Sequence, residues 1–157
     1  MTSGQGTNPL HAFLAGRGTD GRGRTLERVL AFSDDELERV HDYIQWLFPL
    51  PTRSMAQPDA PVLTGDAIEA IKADSQALAN LRRAAERMLR FYEATDGWLT
   101  FSDHNHLRIT RILKSLRLLA GDNAARAFHA RVTARHRAAG APINPRNLAY
   151  WSEALEG

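Results

Sequence analysis

The sequence predicts an all-α fold, one compact bundle of about six or seven helices. Three observations carry that prediction. Apolar residues recur at steps of three and four through most of the chain, the spacing of a helix with one buried face. No segment alternates apolar and polar residues at the period of two that a half-buried strand needs. The patterned stretches are also bounded by helix punctuation: Ser33, Thr64, Asp103 and Asn144 at starts, Gly121 and Gly140 at ends. A chain of 157 residues can bury one self-sufficient core. The expected organisation is a flexible start over residues 1–12 and a single helical domain over 13–157.

Composition narrows the classes. Hydrophobic content of 43% and charged content of 24% are ordinary for a globular domain and argue against wholesale disorder. The chain has no cysteine, which excludes disulfides, thiol catalysis and thiolate metal sites. No apolar run approaches the ~20 residues that span a bilayer. The opening MTSGQGTNPL does not read as a signal peptide, so a cytoplasmic location is expected. Lys72 and Lys114 are the only lysines among 20 basic residues, which together with the many alanines suggests a bacterial genome rich in G and C.

Taken in order, His11 to Ala15 carries Phe13 and Leu14 as a small anchor. Gly16 to Thr25, GRGTDGRGRT, has neither phosphate-loop spacing nor a preceding strand and reads as a flexible loop. Thr25 caps a short helix through Leu26, Val29 and Leu30. Ser33-Asp34-Asp35-Glu36 is a capping box that starts a second helix, with Leu37, Val40, Ile44, Leu47 and Phe48 as its buried stripe and Pro49 as its stop. On that helix Trp46 points away from the stripe. Its expected cover is the following extended segment, which holds prolines 49, 51, 58 and 61.

The middle begins at Thr64 or Asp66 and carries Ile68, Ile71, Leu78, Leu81, Met88, Leu89 and Tyr92. Unbroken to Glu93 it would be about 40 Å long, so a break is expected near Asp74-Ser75. Asp96-Gly97 turns the chain towards a central helix near residues 104–120. There Ile109, Ile112, Leu113, Leu116 and Leu119 form one apolar stripe, while Leu107 and Leu118 fall opposite. Two greasy sides predict a helix with partners on both. Asp122-Asn123 caps a further helix through Ala139, with Phe128 and Val132 inward. Asn144 caps the last one, which has Pro145 at its first position and carries Leu148, Trp151 and Leu155.

Two stretches resemble known signatures. HNHLRITRILKSL, within the central helix, resembles one signature of the opioid growth factor receptor conserved-region family. HDYIQWLFPLP, His41 to Pro51, resembles that family's other signature, an HxYIQWLFP run. The resemblance covers roughly Phe13 to the C-terminus, with one departure: His106 stands where a second Asn is expected in the HNN run. It implies a non-catalytic binding domain that recognises a peptide or protein partner. Vertebrate members are described as receptors for a short opioid peptide, associated with the nucleus and not built to span a membrane.

Catalytic chemistry is thin. His41-Asp42 is similar to the metal-binding dyad of HD phosphohydrolases, which makes a helical phosphohydrolase-like enzyme one alternative. Adjacent residues on a helix, however, sit about 100° apart and diverge. His129 and His136 share a face but lie about 10 Å apart along it, too far for one ion. No catalytic residue, metal ligand set or cofactor is assigned, and the chain is not expected to be an enzyme.

Charge supports a second alternative. Residues 33–100 hold 12 acids against 7 bases, whereas 104–152 hold 9 bases against Asp122 alone. A nucleic-acid or phosphate partner could use Arg108 and Arg111 with the basic patch Lys114, Arg117, Arg126, Arg131 and Arg135. This reading is not favoured, because exposed aromatics are not interleaved with these charges and no nucleic-acid motif is present. Packing of the basic third beside the acidic middle would cancel the charge within the fold.

The candidate ligand site joins the two signatures: His41, Gln45, Trp46, His104, Asn105, Arg108 and Arg111. The apolar stripes do not account for these side chains. Were the first turn of the central helix near His41 and Gln45, its backbone N–H groups with Arg108 and Arg111 would suit a carboxylate or phosphate, and Trp46 or Tyr43 would offer an apolar wall. In the alternative, His41, Gln45 and Asn105 satisfy one another and Arg108 pairs with an acid such as Asp42.

Overall fold

The computed structural model describes residues 8–156, so residues 1–7 of the expected flexible start lie outside the described residues. Among the described residues the chain forms nine helices and, apart from one isolated bridge between Thr19 and Thr25, no strand. The all-α expectation holds. The count exceeds six or seven for two reasons: Pro9–Leu14 is already helical, and the second expected helix is two. The chain divides into two compact units, residues up to Ala84 and residues from Ala85 onward.

The first unit opens with α1 (Pro9–Leu14), which Asn8 caps by accepting from the His11 N–H at 3.0 Å. Leu10, Phe13 and Leu14 are fully buried, so this start is packed. Gly16 ends the helix at φ +82°, a left-handed turn that a side chain would strain. Asn80 then donates to the Leu14 carbonyl at 2.7 Å, and His11 Nε2 lies 2.8 Å from Asp74 Oδ2. Both contacts tie α1 to the start of α6 (Ser75–Ala94).

The Gly/Arg-rich segment differs from the flexible loop expected of it. Asp20, 6% exposed, accepts from the backbone N–H groups of Arg22 and Arg24 and from Arg24 Nε at 2.7 Å. A short acidic side chain that bonds the amides just ahead of it builds a turn from inside. The segment leads to α2 (Leu26–Leu30), capped by Thr25. Arg83 from α6 forks onto Glu27 of α2 through bonds of 2.7 and 2.8 Å.

α3 (Asp34–Arg39) carries the predicted capping box in full: Ser33 accepts from Glu36 N–H and Glu36 accepts from Ser33 N–H. It does not continue to Pro49. Val40 turns extended at ψ 132°, and a new helix, α4 (Ile44–Leu47), begins after Tyr43. Tertiary contacts override the periodicity here. The Tyr43 hydroxyl reaches back to the Leu37 carbonyl at 2.6 Å, taking up an acceptor that the helix end leaves open. Asp42 is drawn to Arg24 at 2.8 Å and Arg22 at 3.1 Å. α5 (Gly65–Lys72) is capped by Thr64, and the predicted break follows it, where Asp74 accepts from the Gln76 and Ala77 N–H groups at the head of α6.

The second unit holds the end of α6 with α7 (His104–Leu119), α8 (Asp122–Ala138) and α9 (Pro145–Glu156). α7 packs against both α8 and α9. Asp103 caps it by accepting from Asn105 N–H at 2.9 Å, and Gly121 at φ +109° closes it. Ile109, Ile112, Leu113, Leu116 and Leu119 are buried. The opposite side is not a full second core face as expected: Leu107 is 65% exposed, and Leu118 is half-buried. The neighbours of Leu107 on that side, Arg111 and Lys114, leave the stripe too polar to bury. Asp122 is the first residue of α8, preceded by Gly121 as cap residue. Asn144 caps α9 by accepting from Arg146 N–H at 2.9 Å.

Candidate binding site

Of the seven signature residues singled out, His41, Gln45 and Trp46 belong to the first unit and His104, Asn105, Arg108 and Arg111 to the second. In the first unit, His41 is exposed and Gln45 is buried, with its amide 3.4 Å from Ser54 Oγ. Trp46 is 8% exposed. Its ring meets Phe13 of α1 edge-on at 5.6 Å and lies against Gly21 of the Asp20 turn. The segment expected to cover it was the proline-rich one. Phe13 and the Asp20 turn lie 33 and about 25 residues away in sequence, beyond what helical periodicity around Trp46 can indicate.

His41 and Asp42 stand in the link between α3 and α4, so the helical geometry that separated them does not apply. Asp42 is instead committed to arginines, with Oδ1 on Arg24 and Oδ2 on Arg22. Burial works against charge on Arg24, but its hydrogen bonds to Asp42 and Asp20 outweigh that and raise its pKa. The guanidinium also lies 5.5 Å above the Phe32 ring, a cation–π contact.

In the second unit the signature helix buries a polar network at its first turn. Asn105, 1% exposed, accepts from the Tyr92 hydroxyl at 3.1 Å and from Arg108 Nη1 at 3.4 Å. Its own amide donates to Asp103 Oδ2 at 2.9 Å. Arg108 is 6% exposed. His106, the departure from the expected HNN run, is fully buried, with Nε2 2.7 Å from the Trp98 carbonyl. These groups serve the packing of α7 from within. His104 is exposed, Lys114 is exposed and Arg111 is half-buried, its pKa lowered to about 10 by burial. Those three line the accessible side of the same helix.

Four residues of the basic patch, Arg117, Arg126, Arg131 and Arg135, have partners inside their own unit. Arg131 bridges Glu93 at 2.7 Å and Glu86 at 3.2 Å, and Arg126 pairs with Asp122 at 2.7 Å. Arg117 lies 3.7 Å from Asp122, and Arg135 donates to the Thr95 carbonyl at 2.9 Å. Within the second unit, Arg131 of the cationic C-terminal third is thus answered by two acids of α6, as the charge-cancelling reading anticipates, while Arg117 and Arg126 share Asp122 of α8 itself.

What these parts define is an all-helical chain in which three of the six candidate polar side chains, Gln45, Asn105 and Arg108, are internal. Residues 25–96 match the Opioid growth factor receptor conserved region. The chain is 40% identical over 100 residues to the opioid growth factor receptor of Mus musculus, covering 52% of this chain and 16% of that protein. It is 37% identical over 99 residues to opioid growth factor receptor-like protein 1 of the same species, covering 52% and 21%. With the Xenopus tropicalis form of that protein it shares 38% over 106 residues, 57% of this chain and 20% of the relative. The chain therefore spans about a fifth or less of the length of these relatives. HDYIQWLFPLP lies inside the matched residues, while HNHLRITRILKSL lies beyond them. The resemblance expected from Phe13 to the C-terminus is narrower by the family match. No solved structure matches. No helix of the described residues is long and apolar enough to cross a membrane.

Proposed function

We propose that this chain is a bacterial-type, cytoplasmic member of the opioid growth factor receptor conserved-region family, and a non-catalytic domain that binds a peptide or protein partner. The observation that carries the reading is the match of residues 25–96 to that conserved region, whose relatives bear the name receptor. The burial of the signature polar groups supports a division of labour. Gln45 and Trp46 in the first unit, with Asn105 and Arg108 in the second, are buried among the side chains of their own unit. His41 on the first unit, and His104 and Arg111 on the second, are the signature side chains a ligand can reach.

Fluorescence anisotropy with a labelled opioid growth factor peptide, beside a panel of unrelated peptides, tests the reading. Saturable binding of at least one peptide, weakened by Arg111→Ala or His104→Ala at unchanged thermal stability, is expected. No binding by any peptide at millimolar concentration overturns it. Oligonucleotide binding that falls steeply with salt would favour the phosphate reading instead.

A further inference from the structure

The last helix is tied to the rest of its unit by few polar contacts, and most of them end on histidines. Among the described residues, three hydrogen bonds join the segment from Ile143 onward to the elements before it. Ile143 N–H donates to His136 Nδ1 at 3.4 Å, Asn144 N–H to the Phe101 carbonyl at 3.1 Å, and the Trp151 indole to the His106 carbonyl at 3.0 Å. His136 is 5% exposed and His106 is fully buried. The His106 and Trp151 rings meet edge-on at 6.2 Å across the seam between α7 and α9.

These bonds fix where each ring carries its proton. A ring nitrogen that accepts from a main-chain N–H must keep its lone pair, so His136 is unprotonated at Nδ1. His106 Nε2, 2.7 Å from the Trp98 carbonyl, must donate, which leaves Nδ1 as the lone pair of that ring. That Nδ1 is buried without a hydrogen-bond partner. Neither ring holds an acceptor ready for a second proton at Nδ1.

A proton added to His136 Nδ1 sets one N–H against another and leaves the Ile143 N–H without its acceptor. The neighbouring charges do not welcome it. Arg135 and Arg137 flank His136 on α8, His106 acts on it from α7, and Arg146 stands in the first turn of α9. Of the acids on α6 and the link to α7, Glu86 and Glu93 are bound to Arg131, Asp96 is exposed and Asp103 accepts from Asn105. Glu153 and Glu156 on α9 are exposed. Burial, then Arg137 and His106, hold the His136 pKa below its ordinary value, although a helix C-terminus favours a cation.

The connection that carries α9 is strained at the same point. The His136 carbonyl accepts from Ala141 N–H at 2.9 Å, so one residue holds the turn through both its main chain and its ring. Gly140 sits at φ +87° and Ala141 at φ +56°. Glycine enters this left-handed region freely, whereas Ala141 stays there only while its surroundings hold it. α7 and α8 pack against each other with Leu116, Phe128 and Val132 buried, and need no such bond.

We propose that the turn between α8 and α9 is an acid-sensitive hinge. Proton uptake at His136 breaks the bond to Ile143, lets Ala141 relax and releases α9 from α7, while α7 and α8 stay packed. Release uncovers the Trp151 face of α9. Nothing in this hinge depends on the peptide-binding reading.

The test is hydrogen exchange on the full chain from neutral pH to about pH 5, corrected for the intrinsic pH dependence of amide exchange. Opening of α9 is expected to grow about tenfold for each pH unit below the unfolded histidine value of about 6.5, until the folded value is reached. Protection in the middle of α7 and α8 should stay nearly unchanged. His136→Asn keeps an acceptor near the place of Nδ1 but takes up no proton, and is expected to abolish the growth. In the wild type, the His136 ring titration, followed through its C–H chemical shifts, should share its midpoint with α9 release. That second readout stands even where the variant folds poorly.

Loss of protection in α7, α8 and α9 together at every pH would mark one cooperative unfolding and overturn the hinge. Equal pH dependence in His136→Asn would overturn it as well. So would a His136 ring that titrates while α9 stays protected.

Discussion

The indole N–H of Trp151 donates to the main-chain carbonyl of His106 at 3.0 Å, and both residues are fully buried. With the edge-on contact of the two rings at 6.2 Å, this bond sets Trp151 on the face of α9 that meets the signature helix. Trp151→Phe removes the donor and part of the ring while keeping an aromatic core residue. It should cost about 1–2 kcal/mol in urea unfolding, from one hydrogen bond and some lost packing. A loss under about half a kcal/mol would mean that the bond contributes little to the seam.

The two sides of α7 should respond very differently to truncation. Leu116 is 1% exposed and Leu107 is 65% exposed. Leu116→Ala should cost about 2–5 kcal/mol, whereas Leu107→Ala should stay within about half a kcal/mol. Comparable losses at both positions would restore the two-sided core that periodicity suggested.

The Asp20 turn makes a third prediction. Asp20→Ala leaves the Arg22 and Arg24 N–H groups without their acceptor and Arg24 without one of its carboxylates. The expected loss is about 1–3 kcal/mol, from donors that are partly buried and lose their acceptor. Faster hydrogen exchange at the Arg22 and Arg24 amides should accompany it. Unchanged exchange there would show that Asp20 does not organise the loop.

Stability should fall on mild acidification. Burial, then the nearby Arg137 and His106, lower the pKa of His136 in the folded chain, and burial with Arg137 and Arg126 lowers that of His129. A group with a depressed folded pKa contributes stability that is complete above its unfolded value, about 6.5 for His, and is lost as pH falls through the folded value. Asp74, lowered chiefly by its hydrogen bond to His11, adds a second loss below the ordinary carboxylate range. Thermal melts from neutral pH downward should show the histidine limb first, and His136→Asn should flatten it. An unchanged slope in that variant would contradict the assignment.

Much of the fold was legible because its punctuation is local. The Ser33–Glu36 box, the Thr64, Asp103 and Asn144 caps and the interruption at Asp74 need only neighbours within a few residues. The unread parts depend on residues far apart in sequence. Periodicity ran straight through Val40–Tyr43, because the pull of Arg24 and Arg22 on Asp42 is invisible to it. The Asp20 turn had a readable clue, an Asp followed by Gly in a Gly-rich run, which favours an Asx-type turn over a floppy loop. For the candidate site, polarity within the signatures marked Gln45, Asn105 and Arg108 as residues needing partners, but polarity does not reveal whether a partner lies outside or inside. Tyr92 and Asp103 supply it from inside for Asn105.

The most direct measurement is a titration of the isotope-labelled chain with a bound peptide, followed by amide chemical shifts. The account predicts the largest shifts on the accessible side of α7, at His104, Leu107, Arg111 and Lys114, with the buried Asn105–Tyr92 bond preserved. Shifts confined to residues remote from that side, or none at a peptide concentration that saturates anisotropy, would contradict it.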